Sequence, residues 1–267
     1  MKSITTVLSP ALFEATVGSV ENKNVVVIDI LRATTTMCVA MENGANSIWP
    51  VDSVQKAAQA GSSFLTAGER NGEKVEGFDL GNSPQEFTEE VVKGRDIVMT
   101  TTNGTRAIAL SEGAKNIYIS SYRNVSAMIK ELVEQPEDVV LFCSGWKDQV
   151  NLEDALFAGE VINGLQRSAV SGQRSAGSGQ PTAVIGQPTA DGRQPIAADL
   201  GPLFNDSSIL AHQLFLQVNG NEEEFLQQAS HVQRFKSLHI ESDLEVCLKR
   251  DTGDFILKVE NGIIRRM

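Results

Sequence analysis

The sequence predicts an α/β protein, a three-layer α/β/α sandwich around a largely parallel or mixed sheet. Three observations predict it. Val25–Ile30 (VVVIDI) is a near-continuous apolar run, as in a parallel strand covered on both faces. Helical stretches then alternate with further strand-like runs across short loops. Finally, 267 residues with 41% hydrophobic and 21% charged side chains suit a single domain with room for a substantial core.

Taken in order, Val25–Ile30 leads through Leu31–Thr36 into a helix ending near Gly44, and Asn46–Val51 (NSIWPV) is the second strand. The same order recurs at Asp96–Met99 (DIVM), a Thr/Asn/Gly loop, a helix over Arg106–Glu112, Gly113 and the strand Asn116–Ser120. Gly44-Ala45-Asn46-Ser47-Ile48 aligns with Gly113-Ala114-Lys115-Asn116-Ile117, 69 residues later. This reads either as an internal duplication or as two helices stopped by the same left-handed glycine turn. Asp138–Cys143 (DVVLFC) is a third buried strand, followed by the loop Ser144–Asn151 and a helix over Leu152–Leu165. Gln166–Gly201 is rich in Ser, Gly, Gln, Pro and Ala without an aromatic residue, so it reads as a flexible surface excursion from the single domain 1–267. Helices resume at Ser207–Val218, with Asp206 as the expected N-cap, and at Glu222–Leu238. Phe255–Val259, Asn261-Gly262 and Ile263–Arg265 predict a terminal hairpin with a two-residue turn.

A formal charge of −11 and a pI near 4.8 argue against nucleic acid or an anionic membrane as partner, because each requires a basic surface. Ser9, Pro10 and Glu14 break any early apolar run, and no stretch reaches the ~18 apolar residues of a membrane span. The expected location is the cytoplasm. Cys38, Cys143 and Cys247 are odd in number and widely spaced, which fits reduced thiols. The composition is compatible with a homo-oligomer.

Ligands of such sheets bind beyond the carboxyl ends of the strands, so the loops around Leu31–Thr36, Thr100–Thr105 and Ser144–Asn151 are expected to converge. The arginine-bearing loops suggest an anion site: Arg32 with Thr34, Thr35 and Thr36; Arg70 with Asn71 and Gly72; Arg106 with Thr101, Thr102, Asn103, Gly104 and Thr105. The competing reading makes the threonines helix caps and the arginines solvated surface. Asp29 is the one charge inside VVVIDI, and a carboxylate there must face a cleft, a partner or a cation. With Glu69, Asp79, Glu153 and Asp154 it offers hard oxygen donors for Mg²⁺, although Glu153 and Asp154 diverge by about 100° on a helix. Both also suit a simple helix N-terminus.

Sharper motifs are absent. A cysteine-dependent phosphatase loop needs an arginine six positions after Cys143, where the chain has Gln149. Asp29-Ile30-Leu31 lacks the second aspartate of an Asp-x-Asp motif, and no Walker A, Rossmann or Gly-x-Ser-x-Gly pattern follows a strand. His212, His231 and His239 lack ligand spacing and read as structural.

VIDILRATTTM (Val27–Met37), AGERNGEKVEGFDLGNSP (Ala67–Pro84), TTTNGTRA (Thr100–Ala107) and CSGWKDQVNLEDALFAG (Cys143–Gly159) together resemble the 2-phosphosulfolactate phosphatase family. The resemblance covers Ser3 to Leu165 and, more weakly, Asp206 to the end. It implies a three-layer α/β/α fold and a Mg²⁺-dependent acid phosphatase that converts 2-phosphosulfolactate to sulfolactate in coenzyme M biosynthesis. Joined to the residue reading, it gives Asp29, Arg32, Arg106 and Glu69 as catalytic. Thr34, Thr35, Thr36, Arg70, Asn71, Thr101, Thr102, Asn103, Gly104, Thr105, Ser144 and Gly145 are then expected to bind a small anionic phosphorylated substrate. Asp29, Glu69, Asp79, Glu153 and Asp154 are the candidate Mg²⁺ ligands. Arg32 and Arg106 are expected to grip different anionic groups. The competing readings are a non-catalytic binder of a phosphorylated or sulfonated metabolite, and a phosphatase of the same fold with another organophosphate substrate.

Overall fold

The computed structural model describes residues 2–176, 204–218 and 220–267. Ten strands form the sheet: β1 (Ile4–Val7), β2 (Asn24–Ile28), β3 (Ser47–Pro50), β4 (Phe64–Arg70), β5 (Glu73–Lys74), β6 (Asp96–Thr100), β7 (Asn116–Ser120), β8 (Val139–Cys143), β9 (Leu257–Glu260) and β10 (Ile263–Arg266). Their spatial order is β1-β8-β2-β7-β9-β10-β3-β6-β4-β5. β1, β8, β2 and β7 form one parallel block, and β3, β6 and β4 form another. The antiparallel hairpin β9–β10 joins the two blocks, so the sheet is mixed but mostly parallel.

Strand alternation explains why VVVIDI has no polar face. Val26 and Ile28 enter one apolar layer, where the helices Val125–Glu134, Leu152–Ala176 and Asp206–Val218 cover the sheet. Val25 and Val27 enter the opposite layer with the helix Ala33–Glu42. Val25, Val26, Val27 and Ile28 are fully buried, and each such side chain contributes roughly 1.5–3 kcal/mol.

The terminal hairpin forms as the sequence predicts, with Asn261 at φ 52° and Gly262 at φ 78°, the two left-handed positions of a type I′ turn. The repeated strand–loop–helix–strand units are present as well. β2 pairs with β7 and β3 pairs with β6, so each unit contributes one strand to each block. Gly44 and Gly113 take φ of 90° and 91°, the shared helix-stop turn.

Three boundaries differ from the sequence expectation. The helix opening at Leu152 continues to Ala176, past Leu165 and into the stretch read as irregular; positions 177–203 lie outside the described residues. Asn205, not Asp206, caps the next helix, its side-chain oxygen accepting from Ser208 N at 3.0 Å. Glu222–Leu238 divides into Glu222–Leu226 and Ser230–Ser237. Ser242–Leu248 forms a further helix, and β1, β4 and β5 extend the sheet beyond the strands read from sequence.

Candidate active site

The carboxyl ends of β2, β4 and β6 open on one pocket, walled by Asp29 and Arg32, by Glu69 and Asn71, and by Thr101, Thr102 and Asn103. Trp146 and Lys147, from the loop after β8, and the helix bearing His231 and Arg234 complete it. All three post-strand loops therefore meet. β2 and β6 belong to blocks of opposite direction, yet the residues that follow each of them line this one pocket.

Asp29 follows β2 directly and is buried, with Oδ1 accepting from Ala33 N at 3.3 Å. Burial raises its pKa to about 6 against the opposing pull of His231. Gly104 leaves room for this carboxylate, since a Cβ there would stand 3.0 Å from Asp29 Oδ2 and 2.6 Å from the Ala33 methyl. Glu69 is buried on the other wall and ties two loops together, accepting from Gly72 N and Thr102 N, both at 2.7 Å. Asp154 lies beneath the pocket, taking Ile30 N at 2.8 Å, Gly145 N at 3.3 Å and the Ser144 hydroxyl at 3.4 Å. Burial first, then the charges of Asp29 and Glu153, hold its carboxyl well above the usual range.

Glu153 diverges from Asp154, as helix geometry requires, and reaches His231: Nδ1–H donates to Oε1 at 2.6 Å. The His231 ring stacks on Trp146 at 5.8 Å and meets Phe235 edge-on at 5.3 Å. These contacts fix the imidazole, and among the described residues no hydrogen bond engages its Nε2. Glu153 is fully buried, and its Oε2 has no hydrogen-bond partner among the described residues.

Several expected site residues belong elsewhere. Thr34, Thr35 and Thr36 are fully buried, and their hydroxyls donate to the backbone carbonyls of Asp29, Ile30 and Asn82. They brace the loop and have no surface for a substrate. Thr101 and Thr105 cap each other's backbone; Thr101 still borders the pocket, but Thr105 is buried behind it. Ser144 and Gly145 support Asp154 and lie outside the lining. Arg70, one residue beyond Glu69 on β4, points to the other side and donates to Glu69 O at 2.6 Å and Thr100 Oγ1 at 2.9 Å. Asp79 is exposed and holds Thr66 through its backbone N–H and hydroxyl, both at 2.8 Å, so it is removed from the metal set.

The two arginines also part company. Arg32 is buried: Nη1 meets Asp243 Oδ2 at 2.6 Å, Nη2 donates to Gly72 O at 3.1 Å, and the guanidinium lies over Phe235. Arg106 is half exposed at the rim and pairs with Asp148 at 2.7 Å, outside the pocket lining. Arg106→Ala should change kcat/KM less than about threefold and stability by under about 1 kcal/mol. Arg32→Ala should lower stability by about 3–5 kcal/mol because it leaves Asp243 buried and unpaired. Melting curves beside kinetic constants for the two variants check both.

Sequence reasoning missed His231, Trp146, Lys147, Arg234 and Asp243. Only Trp146 and Lys147 had a local signal, their place in a post-strand loop. His231 and Asp243 reach the site through contacts 78 and 211 residues distant in sequence.

Residues 10–262 match the family model described as 2-phosphosulpholactate phosphatase. The chain belongs to the 2-phosphosulfolactate phosphatase family. Family membership makes it a phosphoric monoester hydrolase. A Thermotoga petrophila protein named probable 2-phosphosulfolactate phosphatase is 35% identical over 245 residues, 91% of this chain and 92% of its own. Relatives with the same printed name occur in Caldanaerobacter subterraneus subsp. tengcongensis (32% identity, 92% of this chain and 91% of the relative) and Caldicellulosiruptor saccharolyticus (31%, 95% and 96%). Among the described residues no helix is long and apolar enough to cross a membrane.

For the Mg²⁺ expected from the sequence, the donor chemistry fits one mode of binding. Among the described residues no three His, Cys, Asp or Glu side chains form a cage. Asp29 and Glu69 are nevertheless hard oxygen donors on opposite pocket walls, and Mg²⁺ is commonly held by one or two carboxylates with water and substrate phosphate.

Proposed function

We propose that the protein is a Mg²⁺-dependent phosphatase of a small phosphorylated 2-hydroxy acid, with 2-phosphosulfolactate, cleaved to sulfolactate and phosphate, as the substrate of choice. The observation that carries the reading is a pocket with buried acids at its base and a histidine fixed by a buried glutamate in its wall. Asp29 and Glu69 would hold the ion. When bound, it would neutralise phosphoryl oxygens and acidify a water. Thr102 and Asn103 line the place the phosphoryl group would take, in a loop fixed by Glu69 through Thr102 N and by Thr105 through Thr101 N.

The departing group is a secondary alkoxide, too basic to leave without a proton. His231 is the donor: water oxygen bonds to phosphorus, the ester P–O bond breaks, and the Nε2 proton passes to the alkoxide oxygen. One proton of the water stays on the product phosphate and the other restores the imidazolium. Glu153 keeps the ring in its orientation throughout.

A phosphate-release screen over small organophosphates tests the reading. Hydrolysis should fall by at least about 100-fold in excess EDTA and return with added Mg²⁺. Release that persists unchanged in EDTA removes the metal. Tight binding of these compounds without any release favours the binding-protein alternative.

A further inference from the structure

We infer that Lys147 and Arg234 form the subsite for a second anionic group of the substrate, a carboxylate or sulfonate a few atoms from the phosphoryl group. The inference rests on the phosphatase reading of the same pocket.

Its basis is the distribution of charge. The protein carries a formal −11, and the base of the pocket is acidic, yet Arg32, Lys147 and Arg234 stand in the pocket wall. Among the described residues neither Lys147 nor Arg234 is in a salt bridge. Asp148, the acid nearest in sequence to Lys147, is taken by Arg106. Both cations are instead held on one aromatic ring: Lys147 Nζ lies 5.0 Å and the Arg234 guanidinium 5.1 Å from the Trp146 centroid. That ring in turn stacks on His231. A cation–π contact fixes position without neutralising charge. Arg234 also donates to the Asn71 carbonyl, a neutral acceptor that orients the guanidinium and leaves its charge uncompensated.

The arrangement is therefore preorganised for an anion beside the residue that protonates the leaving group. Arg32, the other arginine of the pocket, is already neutralised by Asp243. The two unpaired cations are left to distinguish a substrate with a second anion from a plain phosphomonoester.

The test compares wild type, Lys147→Met, Arg234→Met and the double variant on 2-phosphosulfolactate, on 2-phospholactate, which lacks the sulfonate, and on 4-nitrophenyl phosphate. Each single variant should lose about tenfold in kcat/KM on 2-phosphosulfolactate, chiefly through KM, and the double variant about 100-fold, as expected for hydrogen bonds to a charged group. All should stay within about twofold of wild type on 4-nitrophenyl phosphate, with unchanged Tm. A comparable loss on 2-phospholactate assigns the subsite to the carboxylate, and a loss confined to 2-phosphosulfolactate assigns it to the sulfonate. Equal losses on all three esters, or none, overturn the inference. Calorimetric titration with sulfolactate separates it from the parent reading. If wild type cleaves no ester but binds sulfolactate and the variants do not, the phosphatase reading fails and the subsite stands. Undiminished binding by the double variant removes the subsite.

Discussion

Asp29→Asn is expected to lower kcat/KM by at least about three orders of magnitude, near 4 kcal/mol of transition-state stabilisation, while making the protein more stable at neutral pH. The two effects have one cause. The carboxylate sits at the end of a strand with no polar face, where the fold gives it the field of His231, the Ser144 hydroxyl and one backbone N–H but no full counterion. Burial raises its pKa from 3.8 to about 6, so the folded state holds this proton to higher pH than the unfolded chain does. Stability from this group is accordingly greatest below the unfolded value and is lost as pH rises through about 6. Asparagine keeps the size and removes the charge. In EDTA, the Tm of Asp29→Asn should exceed that of wild type at pH 8 and match it near pH 4. Equal Tm at pH 8 would mean that the carboxylate is already compensated and has no need of a bound cation.

His231→Gln is expected to lower kcat by about two to three orders of magnitude on alkyl phosphates and by less than tenfold on 4-nitrophenyl phosphate. Nitrophenolate departs without a proton, whereas a secondary alkoxide does not. Plotting log kcat/KM against leaving-group basicity should give a steeper slope for the variant. A residue that merely supported the wall would depress all substrates alike. Glu153→Gln should move the slope the same way by a smaller amount, because the imidazole loses its orienting carboxylate but remains between Trp146 and Phe235. Parallel lines for wild type and His231→Gln would return the histidine to the structural role that its lack of ligand spacing suggested.

The sequence by itself determined the layers. An apolar run such as VVVIDI declares both faces buried within six residues, and Asn261-Gly262 between alternating apolar residues specifies its own turn, since both signals lie in consecutive positions. It also grouped the loops after β2 and β8, which lie at the carboxyl ends of neighbouring parallel strands, whereas the loop after β6 joins them from the oppositely directed block. Four long motifs in order carry the family resemblance on their own.

What lines the pocket was decided by tertiary structure alone. Thr34, Thr35 and Thr36 look like an anion cradle in sequence, yet Ala33–Glu42 is covered nearly all round, so their hydroxyls face backbone carbonyls. A helix without a solvent face has no periodicity to say which side meets a ligand. Arg32 and Arg106 look equivalent in their loops, and they separate only because Asp243, 211 residues along the chain, neutralises the first while the second remains at the rim. Glu153 reads as a helix N-terminal acid until a histidine 78 residues later arrives at its oxygen. Local patterns record propensity and burial over a few neighbours, whereas the partner of a buried charge is chosen by which distant elements the closed sheet brings against it.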